Sequence, residues 1–207
     1  VFEFAIVGRH TQWAQECAQA FTPEQKQTVS EMAMSLACFV GHEEIVDDIL
    51  SWNMLSPTHL PSLVLFLVKS NAPRAPQMLQ KLFNALADPA PNLDNALVLA
   101  CATEGPNQQE MVEGISLYGD PFANQKLAVL HAIQNDTPAA FNGLMMRLRG
   151  QPNALAQVLS LPLGPNAKKT ATERFTAAQD LAPLWEKNRL QESIPQQQRP
   201  STCAKKM

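Results

Sequence analysis

Residues 32–50 read MAMSLACFVGHEEIVDDIL, and this stretch is the best copy of a weak internal repeat. With Ala37 as the phase position, equivalent positions follow at spacings of 32, 29, 34 and 32 residues, and they are Ala5, Ala37, Phe66, Ala100 and Ala132. Each copy combines a short apolar helix, a tight turn and a second helix whose apolar residues lie three and four positions apart. A helix pair of this size cannot bury its apolar face alone, so the repeat predicts an all-α helical-hairpin solenoid in which neighbouring pairs stack.

The same residues resemble a known repeat family. Leu36 and Ala37 followed by GHEEIV (residues 41–46) resemble the second half of the ankyrin repeat consensus, and GDPFAN (residues 119–124) resembles its hairpin lead-in. The family's Thr-Pro-Leu-His signature is replaced by MAMS, NALV and LAVL in the second, fourth and fifth copies. The resemblance implies a degenerate ankyrin-like array of about five repeats. A generic helical-hairpin solenoid of the HEAT or tetratricopeptide type is the alternative.

The repeat divides the chain into three regions. Residues 1–150 carry the ankyrin-like array. Residues 151–194 lose the period but keep helical patterns, and we expect them to form a helical capping segment. Residues 195–207, PQQQRPSTCAKKM, have little apolar content to bury, so we expect a disordered tail.

Composition and charge exclude several classes of partner. Residues 1–167 contain 8 Lys and Arg against 15 Asp and Glu, and an acidic array is a poor ligand for phosphate backbones, so no nucleic acid is expected. No apolar run approaches the roughly 18 residues that cross a bilayer, so no membrane span is predicted. The sequence does not begin with a basic segment followed by an apolar one, so no secretory signal is visible, and a cytoplasmic location is expected; delivery into a host cell stays open.

Histidines and cysteines give no catalytic or metal-binding pattern. The four cysteines lie far apart and are expected to be free thiols, and no pair has the spacing of zinc ligands. No cofactor, metal or catalytic residue is therefore predicted. His10 and His42 occupy the same repeat position, and the ankyrin resemblance implies that their imidazoles cap or hydrogen-bond the backbone in the turn between paired helices.

The resemblance also implies where a partner would bind, on the concave face just before each helix turn and at the hairpin tips. The predicted contact residues before the turns are Phe39, Val40, Val68, Lys69, Thr103, Gln134 and Asn135. Those at the hairpin tips are Thr28, Glu31, Asp94 and Lys126. Phe39 is the strongest candidate because a large exposed apolar residue often anchors a protein interface; in the alternative it packs into the neighbouring repeat.

These observations favour a protein–protein interaction module that binds another protein, or another domain of the same protein. By analogy of fold, it could be the recognition part of a larger or effector-type bacterial protein. The alternatives are a part of an enzyme whose catalytic domain lies outside this chain, and a scaffold that stiffens a larger assembly.

Overall fold

The computed structural model describes residues 1–87, 91–134, 138–149, 151 and 153–177. The described residues are helical and contain no strand, which confirms the all-α prediction for this part of the chain. The helices are α1 (Phe2–Val7), α2 (Thr11–Gln19), α3 (Pro23–Val40), α4 (Glu43–Ser51), α5 (Leu60–Ser70), α6 (Ala75–Leu86), α7 (Asp94–Ala102), α8 (Gln108–Ile115), α9 (Ala123–Gln134), α10 (Ala139–Arg149) and α11 (Ala154–Leu159). A 3₁₀ turn, Pro57–His59, precedes α5, and residues 165–177 are also helical.

The chain divides into two compact units, Val1–Ala154 and Leu155–Met207. In the first unit each odd-numbered helix packs against the even-numbered helix that follows it. The odd-numbered helices α1 to α9 also pack against one another in chain order, and the even-numbered helices α2 to α10 do the same. Five successive helix pairs therefore contact their neighbours through both members.

The longest helix, α3, has strong signals at both ends. Thr22 begins it with a capping box, in which its hydroxyl accepts from the backbone N–H of Gln25 while the Gln25 side chain accepts from the N–H of Thr22. Pro23 occupies the first turn, where its missing N–H costs no hydrogen bond. Gly41 ends the helix in the left-handed conformation, at φ 75° and ψ 42°.

The phase positions lie in the core of the first unit. Ala5, Ala37 and Ala132 are fully buried and Ala100 is 2% exposed, as the repeat predicts. The prediction is wrong for the third copy, where Phe66 is only half-buried. The first three helix pairs turn at left-handed residues, which are Arg9, Gly41 and Asn71. Counting back four residues from Asn71 gives Leu67, which is fully buried.

The second unit is described only as far as residue 177. Its buried apolar residues include Val158, Leu161, Ala171 and Phe175. The predicted tail, residues 195–207, and the end of the predicted capping segment, residues 178–194, lie outside the described residues.

Candidate functional site

The candidate site is an exposed apolar surface on α3 and α5, which we call the apolar strip and define as Met32, Leu36, Phe39 and Phe66. The three α3 residues follow one another at spacings of four and three, so they share one face of the helix. Met32 is 51% exposed and Phe39 52% exposed, whereas Leu36 is half-buried. The opposite face of α3 holds the core residues Ala33, Met34, Ala37 and Cys38.

The two phenylalanines of the strip touch across the boundary between helix pairs. The rings of Phe39 and Phe66 lie 6.5 Å apart at an interplanar angle of 85°, an edge-to-face contact. Phe66 is thereby part of the support of Phe39, whose ring keeps about half of its surface in solvent. The structure thus combines the two sequence alternatives for Phe39, because the side chain contacts its neighbour and also remains exposed.

Positions equivalent to Met32 and Phe39 are also exposed on other odd-numbered helices. Val7, which precedes the turn of the first pair as Phe39 precedes that of the second, is 55% exposed. Leu127 on α9 corresponds to Met32 and is 39% exposed. Lys69 and Gln134, which correspond to Phe39 on α5 and α9, are exposed polar side chains. The exposed apolar surface is therefore concentrated at the first three helix pairs.

Two predicted contact residues before the turns, Val68 and Val40, are less exposed than Phe39. Val68 is 5% exposed and belongs to the core, so its prediction as a surface contact is wrong. The physical reason is the one-residue shift in the third copy, which places Lys69 and Ser70 where Phe39 and Val40 lie in the second. Val40 is half-buried, and its carbonyl accepts a hydrogen bond of 2.7 Å from Nη2 of Arg9.

The predicted hairpin-tip residues Thr28 and Glu31 lie inside α3 instead of at a tip. The capping box at Thr22 and Pro23 starts the helix before them. Thr28 donates its hydroxyl to the backbone carbonyl of Glu24 at 2.9 Å. Glu31 is exposed and lies 3.1 Å from Nε2 of His59, which links α3 to the 3₁₀ turn ahead of α5.

The remaining predicted contacts are spread over α7 and α9. Asp94 begins α7, and its Oδ1 accepts from the backbone N–H of Asp120 at 2.8 Å, so it joins the two loops that precede α7 and α9. Thr103 ends α7 and donates to the carbonyl of Leu99 at 2.8 Å. Gln134 ends α9 and is exposed. Lys126 lies within α9, its side chain is outside the described atoms, and Asn135 lies outside the described residues altogether.

His42 has a side-chain role that differs from the predicted backbone cap. It is the residue that precedes α4, but its imidazole makes no cap hydrogen bond. The ring is buried, with Nε2 3.2 Å from Oγ1 of Thr11 and Nδ1 3.3 Å from Oε2 of Glu44. Burial lowers the pKa of His42, an effect that Glu44 opposes and the nearby guanidinium of Arg9 reinforces. His10, at the same repeat position, is exposed and lies beside the ring of Trp13 at 6.0 Å.

The described cysteines are free thiols, and two of them are buried in the core. Burial raises the pKa of both Cys38 and Cys101 to about 12, so neither is a ready nucleophile at neutral pH. Cys17 is a half-buried free thiol, and Cys203 lies outside the described residues.

An ion-pair network joins α4 and α6, and no sequence motif predicts it. Glu43 contacts Arg74 at 2.7 Å and Lys81 at 2.9 Å, and Lys81 also contacts Asp47 at 2.6 Å. Hydrogen bonds from Lys81 and then Arg74 lower the pKa of Glu43. The usable signal in the sequence is a pair of opposite charges about one repeat apart, but many surface charges satisfy that condition. The network joins neighbouring helix pairs and leaves none of its four charges unpaired for chemistry.

A groove of about 520 Å³ lies on the side of α2 and α4, near the start of α3. Lys26 places its Nζ 5.5 Å from the centre of the Trp52 ring, so the cation covers the aromatic face that lines the groove. Asp48 also lines this groove, but its Oδ2 is buried and has no hydrogen-bond partner. No sequence pattern indicates this groove, since its residues come from three helices and from the turn that follows α4.

Comparisons with known proteins give no relative from which a role could be carried over. No family model matches the chain, and neither the curated proteins nor the solved structures contain a match to it. Among the described helices, none is both long and apolar enough to cross a membrane. The described residues also contain no group of three or more His, Cys, Asp or Glu side chains placed to hold a metal ion.

Proposed function

We propose that this chain is a protein-binding module built as a degenerate ankyrin-like array of helix pairs, and that its partner docks on the apolar strip. The single observation that supports this function best is the exposure of Phe39 and Met32, each about half in solvent, on one face of α3. Large apolar side chains clustered on an exposed face are typical of protein interfaces.

The repeated geometry of the first two helix pairs supports the array. His10 donates its backbone N–H to the carbonyl of Ala5 at 2.8 Å, and His42 donates to that of Ala37 at 2.9 Å. The turns before them pass through left-handed residues at φ 56° and 75°. Hydrogen bonds between successive turns follow a similar spacing, as in the bond from Arg9 to Val40 and that from Asn71 to the carbonyl of Glu104. A shared turn of this kind is what stacked helix pairs require.

The chemistry of the strip favours a partner segment with apolar side chains. Its four members carry no charge, and the edge-to-face contact with Phe66 holds the ring of Phe39 in place before any partner arrives. A ring that is already ordered loses little conformational entropy on binding, which is a property of interface hot spots. The partner segment belongs to another protein, or to another domain of the same polypeptide.

The test compares capture of a partner by the wild-type chain and by matched variants. Phe39→Ser is expected to weaken the complex by at least about 2 kcal/mol, which corresponds to roughly thirtyfold in Kd. Met32→Ser is a second variant of the strip that removes no ring contact. Leu117→Ser is the control because Leu117 is 61% exposed but follows α8, away from the strip.

Circular dichroism and urea denaturation confirm that each variant is folded before its affinity is measured. A partner that binds the Phe39→Ser and Met32→Ser chains as tightly as the wild-type chain would disprove docking on the strip. Equal losses for Leu117→Ser and Phe39→Ser would have the same consequence, because they would show general loss of apolar surface and not a defined site.

A further inference from the structure

The groove of about 520 Å³ beside α2, α3 and α4 combines charged, polar and aromatic side chains, and we call it the polar groove. Its volume falls in the range of about 300–1,000 Å³ that is typical of small-molecule sites. The lining residues with polar or aromatic side chains are Gln15, Gln19, Lys26, Asp48, Ser51 and Trp52. None of them belongs to the apolar strip, so the polar groove is independent of the proposed partner site.

Lys26 provides the positive charge of the polar groove. Its Nζ lies 5.5 Å from the centre of the Trp52 ring, so the aromatic face holds the ammonium group in place. The Lys26 side chain is half-buried, and no carboxylate of the described residues forms an ion pair with it. An ammonium group has three N–H donors. Lys26 can therefore donate hydrogen bonds to a negatively charged group that enters the groove.

Asp48 provides the negative charge of the polar groove. Its side chain is half-buried, and its Oδ2 is buried without a hydrogen-bond partner. Within the described part of the chain, no Lys, Arg or His forms an ion pair with it. A partly buried carboxylate without a partner is costly. Because the side chain as a whole is only half-buried, a cation in the groove can approach the carboxylate and offset that cost.

Both charges lie at helix ends where the helix dipole disfavours them. Lys26 is the fourth residue of α3, near the positive N-terminal end of the helix. Asp48 lies in the last turn of α4, near its negative C-terminal end. Neither charge therefore stabilises its own helix, and neither is offset by an ion pair. Local conflicts of this kind are typical of functional sites.

The ends of two helices add to the negative potential around Asp48. α2 ends at Gln19 and α4 ends at Ser51, and both residues line the polar groove. Carbonyl groups at helix C-termini carry partial negative charge and favour cations. Burial lowers the pKa of His42, which interacts with the charge of Asp48, so at neutral pH this ring adds no positive charge. The groove thus has a negative side at Asp48 and a positive side at Lys26.

We propose that the polar groove binds a small zwitterion of the amino-acid or dipeptide class, with its carboxylate at Lys26 and its ammonium group at Asp48. The side-chain amides of Gln15 and Gln19 supply further donors and acceptors. The edge of Trp52 offers apolar surface to the part of the ligand between its charges. A ligand with a single charge would leave one of the two protein charges unpaired beside it, which disfavours both a simple anion and a simple cation.

The experiment screens amino acids and glycyl dipeptides against the full chain by proton–nitrogen correlation NMR. The readout is the indole N–H signal of Trp52, which a Trp52→Phe variant distinguishes from those of Trp13 and Trp185. We expect at least one compound to shift this signal with a Kd below about 1 mM. Binding of free amino acids alone, or of dipeptides alone, supports the proposal and assigns the length of the ligand.

Blocked forms of the bound compound test each ligand charge on the unaltered protein. N-acetylation removes the ammonium group, and conversion to the C-terminal amide removes the carboxylate. Each change is expected to weaken binding by at least about tenfold, because each removes a hydrogen bond between charged groups.

Two variants test the protein charges, and each has a matched control. Lys26→Gln and Asp48→Asn are each expected to weaken binding of the unblocked compound by at least about tenfold. The Lys26→Gln chain should no longer distinguish the amide from the free compound, and the Asp48→Asn chain should no longer distinguish the N-acetyl form. Lys69→Gln and Glu110→Gln are the controls, since they remove the same charges from exposed positions outside the groove and should leave the affinity unchanged.

The proposal is overturned if no compound of the screen binds with a Kd below about 1 mM, or if both blocked forms bind as tightly as the free compound. Loss of affinity on amidation alone would show an anion site at Lys26, and loss on N-acetylation alone would show a cation site at Asp48. Either result would overturn the assignment to a zwitterion. Equal losses in the control variants and in Lys26→Gln and Asp48→Asn would overturn the assignment to this groove.

Discussion

His42 is the buried titratable residue between the first two helix pairs, and its environment disfavours a positive charge. Its ring is 6% exposed and meets Thr11 from α2 as well as Glu44 from its own helix. Burial is the largest cause of its lowered pKa; Arg9 adds to the lowering, and Glu44 and Asp48 oppose it. In the unfolded chain the imidazole is solvated and titrates near pH ~6.5.

Stability should therefore depend on pH through His42. Because the folded state binds the proton less readily, its contribution to stability is complete above about pH 6.5 and is lost as the pH falls through the lower pKa of the folded state. We expect the free energy of unfolding to fall as the pH is lowered from neutral through that range, and His42→Gln to reduce that fall. Urea denaturation at several pH values measures the free energy of unfolding of both chains. His10→Gln, at the exposed equivalent position, is the control variant, and an equal effect of both variants would contradict the assignment to His42.

Gly41 is the residue whose backbone conformation most limits substitution. Its φ of 75° is left-handed, and a Cβ added there would meet the Cβ of Ala72 in the next turn. Gly41→Ala is expected to destabilise the chain by about 1–2 kcal/mol for the conformation alone, with a further cost for the contact with Ala72. Gly164→Ala is the control, since a Cβ there meets nothing within 4 Å, and it should change stability by less than about 0.5 kcal/mol. Equal urea midpoints for Gly41→Ala and Gly164→Ala would show that this prediction is wrong.

At the level of the helices, the buried alanines at the phase positions set how closely neighbouring pairs approach. Ala37, Ala100 and Ala132 are at most 2% exposed, and each lies on an odd-numbered helix that packs against others of its layer. Enlarging any one to Leu should overpack this layer and cost about 1–3 kcal/mol. Ala102→Leu is the control because Ala102 is exposed on α7. Denaturation midpoints equal to that of the wild-type chain for all three buried variants would show that the repeat register is wrong.

The helices and most of the core positions could be predicted from the sequence, because both follow from the spacing of apolar residues. The register of the third copy could not be predicted to within one residue. Its turn passes through Asn71 at φ 46°, and a sequence search for the turn glycine finds none there. The ankyrin resemblance also predicts the wrong start for α3, because it places Thr28 and Glu31 at a hairpin tip. In the structure Thr22 and Pro23 begin a helix that contains both residues.

The candidate site was predictable only in part. The exposure of Phe39 follows from its position before a turn, but its support by Phe66 depends on the one-residue shift in α5 and on side-chain packing between helices. The same shifted count places Val68 on the surface, although the side chain is buried. The ion pairs of Lys81 with Glu43 and Asp47 depend on the alignment of α4 with α6, which pattern alone does not fix.

At the level of the first unit, each helix pair contacts mainly the pairs beside it, so stability should vary along the array. The first pair is covered on one side only, and α1 is 6 residues long against 18 in α3. Pairs in the middle, such as α5 with α6, are covered on both sides. In a linear array the local stability of a pair is the sum of its own and its neighbours' contributions, so an end pair opens more readily than a central one.

We therefore expect hydrogen exchange within Val1–Ala154 to be fastest in α1 and α2 and slowest in α5 and α6. In low concentrations of urea the exchange of α5 and α6 should follow the free energy of global unfolding, while that of α1 and α2 should stay nearly independent of urea, because a small opening exposes little surface. Uniform protection of all ten helices, with one common dependence on urea, would show a globular domain that opens only as a whole, and would rule out a stack of separable pairs.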